Sequence, residues 1–165
     1  MESAVWGLIG TVVGALASIA TTWLTITSSN KLQDQKVREE RQERANAFQR
    51  ETLLELQDAV HDVMRLEHRA YFEDCMSLRA GIIWSKATLS DELNEGKRLA
   101  KRRVTLLVER VADEDVRKQV KALMKSASLV ALAKEQEEAN ALLEGCTSDS
   151  IQMFETLGTA LRLHY

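Results

Sequence analysis

The chain has 165 residues, 28% of them charged and 45% hydrophobic, with a formal net charge of −3. That acidic balance argues against nucleic acid as a partner. Two cysteines without a CxxC pair argue against a secreted disulfide scaffold, and the absence of proline argues for long helices.

Residues from Ser3 to Asn30 carry no charged side chain. A hydrocarbon core of about 30 Å needs roughly 20 residues at about 1.5 Å each, and Val5 to Ile26 meets that length. The expected organisation is a short extracytoplasmic segment 1–3, a transmembrane helix 4–27, a charged juxtamembrane stalk 28–52 and a cytoplasmic four-helix bundle 53–165. Trp6 and Trp23 lie roughly 26 Å apart along a helix, which would place one indole at each membrane interface. Lys31 begins a basic flank that continues with Lys36, Arg38, Arg41 and Arg44, whereas no Lys or Arg precedes the span. Cationic flanks stay cytoplasmic, so the bundle is expected on the inner side of the plasma membrane. A cleaved signal peptide fits less well, because the segment lacks a basic start and its apolar run is long.

Gly10, Gly14 and Ser18 repeat every four residues, with Gly7 close to the same face. Small residues at this spacing let two membrane helices approach closely, which predicts a homo-oligomer. Thr11, Thr21, Thr22 and Thr25 make the span rich in hydroxyls. Such groups line a pore, bond between helices or return to the carbonyls of their own helix.

In the stalk, opposite charges such as Glu40 and Arg44 stand one helical turn apart. From Leu53 an apolar period sets in through Leu56, Val60, Val63, Met64, Tyr71, Cys75, Leu78 and Ile82, and this first bundle helix is expected to end around Trp84–Thr88. Ser90 reads as the next N-cap, followed by Asp91 and Glu92, for a helix burying Leu93, Leu99, Leu106, Leu107 and Val111 to about Ala112. Asp113 reads as the cap of a third helix, running through Val116, Val120, Leu123, Met124, Leu129, Val130, Leu142 and Leu143 to a Gly145 C-cap. Ser148 would cap a short last helix carrying Ile151, Phe154, Leu157 and Leu161. The fold class is therefore all-α: a transmembrane helix, a helical stalk and a small antiparallel bundle.

No catalytic constellation, cofactor loop or metal site emerges. Asp58 and His61 form one acid-x-x-His pair, with His68 two turns on, whereas a di-iron bundle needs two such pairs and two further Glu. The predicted bundle resembles the HEPN RNases in helical architecture alone. That family places an Arg further ahead of its His than Arg65–His68 or Arg162–His164 do, so RNase activity is not implied. Two basic clusters remain. Lys97, Arg98, Lys101, Arg102 and Arg103 lie on the second bundle helix, and Arg117, Lys118, Lys121 and Lys125 on the third. They are candidate contacts for a cytoplasmic protein partner or anionic lipid, diluted by acids such as Glu95 and Glu109.

The reading favoured is a membrane-anchored, self-associating, non-enzymatic scaffold or adaptor. Its alternative is an oligomeric pore or membrane-disrupting effector of the toxin or phage-defence type, with the span threonines lining a channel. An anchored enzyme would need His61, His68 or the basic clusters to converge. The layout of span, charged stalk and small bundle resembles that of many short bacterial proteins of unknown function, and implies a bacterial inner membrane.

Overall fold

The computed structural model describes the backbone of residues 2–165, and the side chains at positions 7, 14, 18, 21–84 and 86–165. Among the described residues the chain is all-helical, in the order α1 (Glu2–Arg79), a 3-10 turn (Trp84–Lys86), α2 (Asp91–Val108), α3 (Glu114–Val130) and α4 (Gln136–Arg162). It forms two compact units, residues 1–45 and 46–165.

The first unit is a single helical segment within α1. Trp23, Leu24, Ile26 and Leu32 are exposed. The Thr22, Thr25 and Thr27 hydroxyls donate to the carbonyls of Ser18, Thr21 and Trp23 at 2.8, 2.9 and 2.7 Å. Arg44 pairs with Glu40 at 3.3 Å. Among the described residues no helix is long and apolar enough to cross a membrane. The predicted span, 4–27, falls largely on residues whose side chains lie outside the described set.

The second unit is a four-helix bundle that begins at Asn46, ahead of the expected boundary at Leu53. Its core is one apolar cluster: Leu53, Leu56, Val60 and Val63 from α1, Val104, Leu107 and Val108 from α2, Val116, Val120 and Leu123 from α3, and Leu143, Cys146, Met153 and Leu157 from α4. Neighbouring helices run antiparallel. Gln49 near the start of this unit bonds the backbone at Arg110 and Ala112 past the end of α2, while Glu73 accepts from Ser90 at the start of α2. On the other side of α1, Tyr71 meets Asn140, Met64 meets Cys146, and His61 stacks on Phe154 with ring centroids 4.0 Å apart. Ser126 reaches Asp149 across the α3–α4 pair.

The helix ends follow local chemistry. α1 stops at a Schellman motif: Gly81 takes φ +88°, its N–H donates to Leu78, and the Ile82 N–H donates to Ser77. The end therefore comes before Trp84–Thr88, and Ile82 is exposed instead of packed. Ser90 stands at the N-cap of α2, although its hydroxyl donates to Glu73 and not to its own helix. Asp113 caps α3 by accepting from the N–H groups of Asp115 and Val116 at 2.8 and 3.0 Å.

Two expectations are corrected. The expected third helix is broken at residues 131–135, so Gly145 and Ser148 are interior to α4. Glu138 at the third position of α4 accepts from the Lys134 N–H at 2.9 Å, and Glu137 lies beside it in the first turn. These acids stabilise a helix start where neither Gly nor Pro announces one. Leu99, Leu106, Leu129 and Ile151 are exposed, because the buried faces carry Val104, Leu107 and Val108 on α2, Ala127 and Val130 on α3, and Cys146 and Met153 on α4.

Gly145 tests the α4 assignment. A methyl at this position would meet nothing within 4 Å. Gly145→Ala is expected to stabilise the fold by about 0.5–1 kcal/mol, read as a higher unfolding midpoint. A left-handed C-cap at this position would make the same substitution destabilising.

Candidate functional site

The strongest concentration of chemistry in the bundle lies where the second half of α1 faces α2. Glu67 is 1% exposed and is flanked on the same helix by Val63, Met64 and Ala70, all buried. An ionised carboxylate there costs several kcal/mol unless it is paired. Lys97 Nζ stands 2.9 Å from one of its oxygens and Lys101 Nζ 3.0 Å from the other. Neither contact has the alignment of a directed hydrogen bond, so charge and distance hold the triad together. The lysines come from successive turns of α2, which is how one carboxylate engages both. Their side chains are 11% and 28% exposed.

This triad forms the floor of a pocket of about 620 Å³. One wall is α1, with Ala70, Tyr71 and Asp74. The 3-10 turn and the loop after it supply Trp84, Thr88 and Leu89, and α2 supplies Asn94. The α3–α4 turn closes the remaining side with Ala131, Ala133 and Lys134. Tyr71 and Trp84 lean together with centroids 5.8 Å apart. The Tyr71 hydroxyl donates to Asn140 Oδ1 at 3.2 Å, and burial, then the neighbouring Cys75, raises its pKa. Burial also raises the Asp74 carboxyl above its ordinary value, against the opposing pull of Lys97. Behind the floor, burial and then the Glu67 charge push the Cys146 thiol up to about 11, so it is an inert packing group.

The sequence-derived candidates separate. Lys97 and Lys101 turn into the bundle, whereas Arg98 pairs with Glu95 at 2.6 Å on the surface. Lys121 reaches Glu109 at 2.7 Å, Lys118 approaches Asp115 at 4.0 Å, and Arg117 pairs with Glu114. Arg102, Arg103 and Lys125 are exposed and have no ion-pair partner among the described residues.

The histidines are engaged separately, His61 on Phe154 and His68 between the Met64 carbonyl and Thr147. Among the described residues no three His, Cys, Asp or Glu side chains gather as metal ligands. At Gly7 and Gly14 an added methyl would meet nothing within 4 Å, and Ser18, Trp23 and Lys31 are exposed. The side chain of Trp6 and the packing around Gly10 lie outside the described residues. Sequence reasoning missed Glu67. Its signal was an ionisable residue on the apolar stripe, one turn after Val63 and one before Tyr71.

No protein family, curated protein or solved structure matches this chain.

Asp74 gives a pH prediction. Its raised folded-state pKa means that its contribution to stability is complete below the ordinary aspartate value and is lost as pH rises through the raised one. Asp74→Asn is expected to melt at a higher temperature than the native chain near neutral pH. The difference should vanish at about pH 3, where both side chains are neutral.

Proposed function

We propose that this chain is a membrane-anchored, self-associating helical bundle that works as a non-enzymatic scaffold or adaptor. Residues 4–27 would form the anchor. The bundle would lie on the cytoplasmic side of an inner membrane, where it would dock a protein partner.

The observation that carries this reading is the combination of a charge-free run from Ser3 to Asn30 with the chemistry of its described end. There the Thr22 and Thr25 hydroxyls are spent on their own helix, while Trp23, Leu24 and Ile26 are exposed. A helix in hydrocarbon needs its polar groups satisfied internally and its apolar side chains outward. The basic flank from Lys31 to Arg44 supports the orientation and would attract anionic lipid. The small residues Gly7, Gly10, Gly14 and Ser18 support self-association, since a second helix can approach such a face closely.

The reading is tested on the full-length chain expressed in bacteria. The protein should resist alkaline carbonate extraction from membranes. Its mass in mild detergent should correspond to an oligomer that Gly14→Leu reduces to monomer. A voltage-sensitive dye should report an unchanged membrane potential during expression. Extraction by carbonate would contradict the anchor, and an unaltered oligomer in Gly14→Leu would remove the small-residue face from assembly. Depolarisation abolished by Gly14→Leu would replace the scaffold with the pore.

A further inference from the structure

The pocket above the Glu67 triad has a spare capacity that the bundle does not use. Each ammonium carries three donors. Lys97 and Lys101 each stand about 3 Å from one Glu67 oxygen without an aligned hydrogen bond, and neither has another ion-pair acceptor or any hydrogen-bond acceptor among the described residues. Both lysines line the same pocket, and a third, Lys134, stands at its rim without an ion-pair partner among the described residues. Against these three cations the lining offers two carboxylates. Glu67 has one lysine on each oxygen, and Asp74, partly buried on α1, lies within the field of Lys97. The cavity, at about 620 Å³, falls within the usual range for small-ligand sites of roughly 300–1,000 Å³. Its upper walls, Tyr71, Trp84 and Leu89, are aromatic and apolar.

We propose that this pocket is a binding site for a small organic anion, whose phosphate or carboxylate head lies across Lys97 and Lys101 and whose flat apolar body lies against Tyr71 and Trp84. The head group would take donors that the lysines already hold out, so Glu67 keeps its pairs and the bundle need not rearrange. Lys134 would close over the ligand from the α3–α4 turn. The site goes beyond a scaffold role: it would make the bundle responsive to a soluble metabolite-like anion or to a phosphate carried by a lipid.

The test uses the full chain in a non-ionic detergent, with Trp6→Phe and Trp23→Phe so that fluorescence reports Trp84 alone. Phenyl phosphate and benzoate are the probes, phenol is the uncharged comparison, inorganic phosphate tests the head group alone, and a short-chain phosphatidic acid tests the lipid source. Saturable quenching by phenyl phosphate or benzoate, with phenol inert, is expected. Lys101→Gln should weaken the affinity about tenfold or more. Lys101→Gln risks the fold, because it removes one partner of Glu67. Lys134→Gln does not, being at an exposed position, and should weaken binding several-fold with an unchanged melting temperature. Arg98→Gln, on the outer face, should bind as the parent does. Preference for phosphatidic acid over phenyl phosphate would assign the lipid as the source, and the reverse would assign a free anion. Absence of saturable binding by any charged probe, equal binding of phenol, or full affinity in both Lys101→Gln and Lys134→Gln would overturn the site.

Discussion

A carboxylate taken out of water, Glu67, sets the terms for the bundle. Buried on α1, it requires compensation, and among the described residues that compensation comes from Lys97 and Lys101 at 2.9 and 3.0 Å. A helix sliding by one turn along its neighbour would still cover apolar surface, because apolar attraction is not directional. It would leave Glu67 one lysine at most, because Lys97 and Lys101 stand one turn apart. The register of α2 against α1 is set by this triad together with Gln49, which bonds the backbone at Arg110 and Ala112 at one end, and Glu73, which meets Ser90 at the other. With that pair set, α4 packs on the other side of α1 through Met64–Cys146 and His61–Phe154, and a short turn brings α3 against α4.

The same interaction explains why the pocket lies at this end of the bundle. Long polar side chains replace compact apolar ones on the floor, and small residues, Ala70, Ala131, Ala133 and Ala139, face the space above. The opposite end carries Leu53, Leu56, Val108, Val111 and Val116, all buried. Stability and cavity are thus divided along the bundle: an apolar core toward residues 53–60, and a charged, hollow region toward residues 67–74. Raised pKa values at Asp74 and Cys146 follow from the burial of that second region.

Much of the fold was legible in the sequence because its determinants are local. The absence of proline and the apolar period from Leu53 announce helices, and Asp113 followed by two acids announces a cap. The errors lie where a local signal competed with tertiary packing. Gly145 reads as a C-cap, yet it is an ordinary position inside α4, while Gly81, with φ +88°, ends α1. The break between α3 and α4 rests on Glu137 and Glu138 at a helix start, a weaker mark than glycine. Leu99 and Leu106 look like core by residue type, but the stripe through Val104, Leu107 and Val108 takes the buried face. The basic cluster on α2 was visible as composition. That two of its members turn inward to Glu67 depends on pairing between helices, which no single stretch of sequence displays.

The most direct measurement of this account is a double-mutant cycle between Glu67 and Lys97, read by chemical unfolding of the full chain in detergent. Glu67→Leu leaves a buried ammonium without its partner and is predicted to cost about 3–5 kcal/mol. Adding Lys97→Met should recover most of that loss, giving a coupling well above about 1 kcal/mol. Two small, additive effects would show that Glu67 is not a paired buried charge, and the register, the pocket floor and the division of the bundle would all lose their basis.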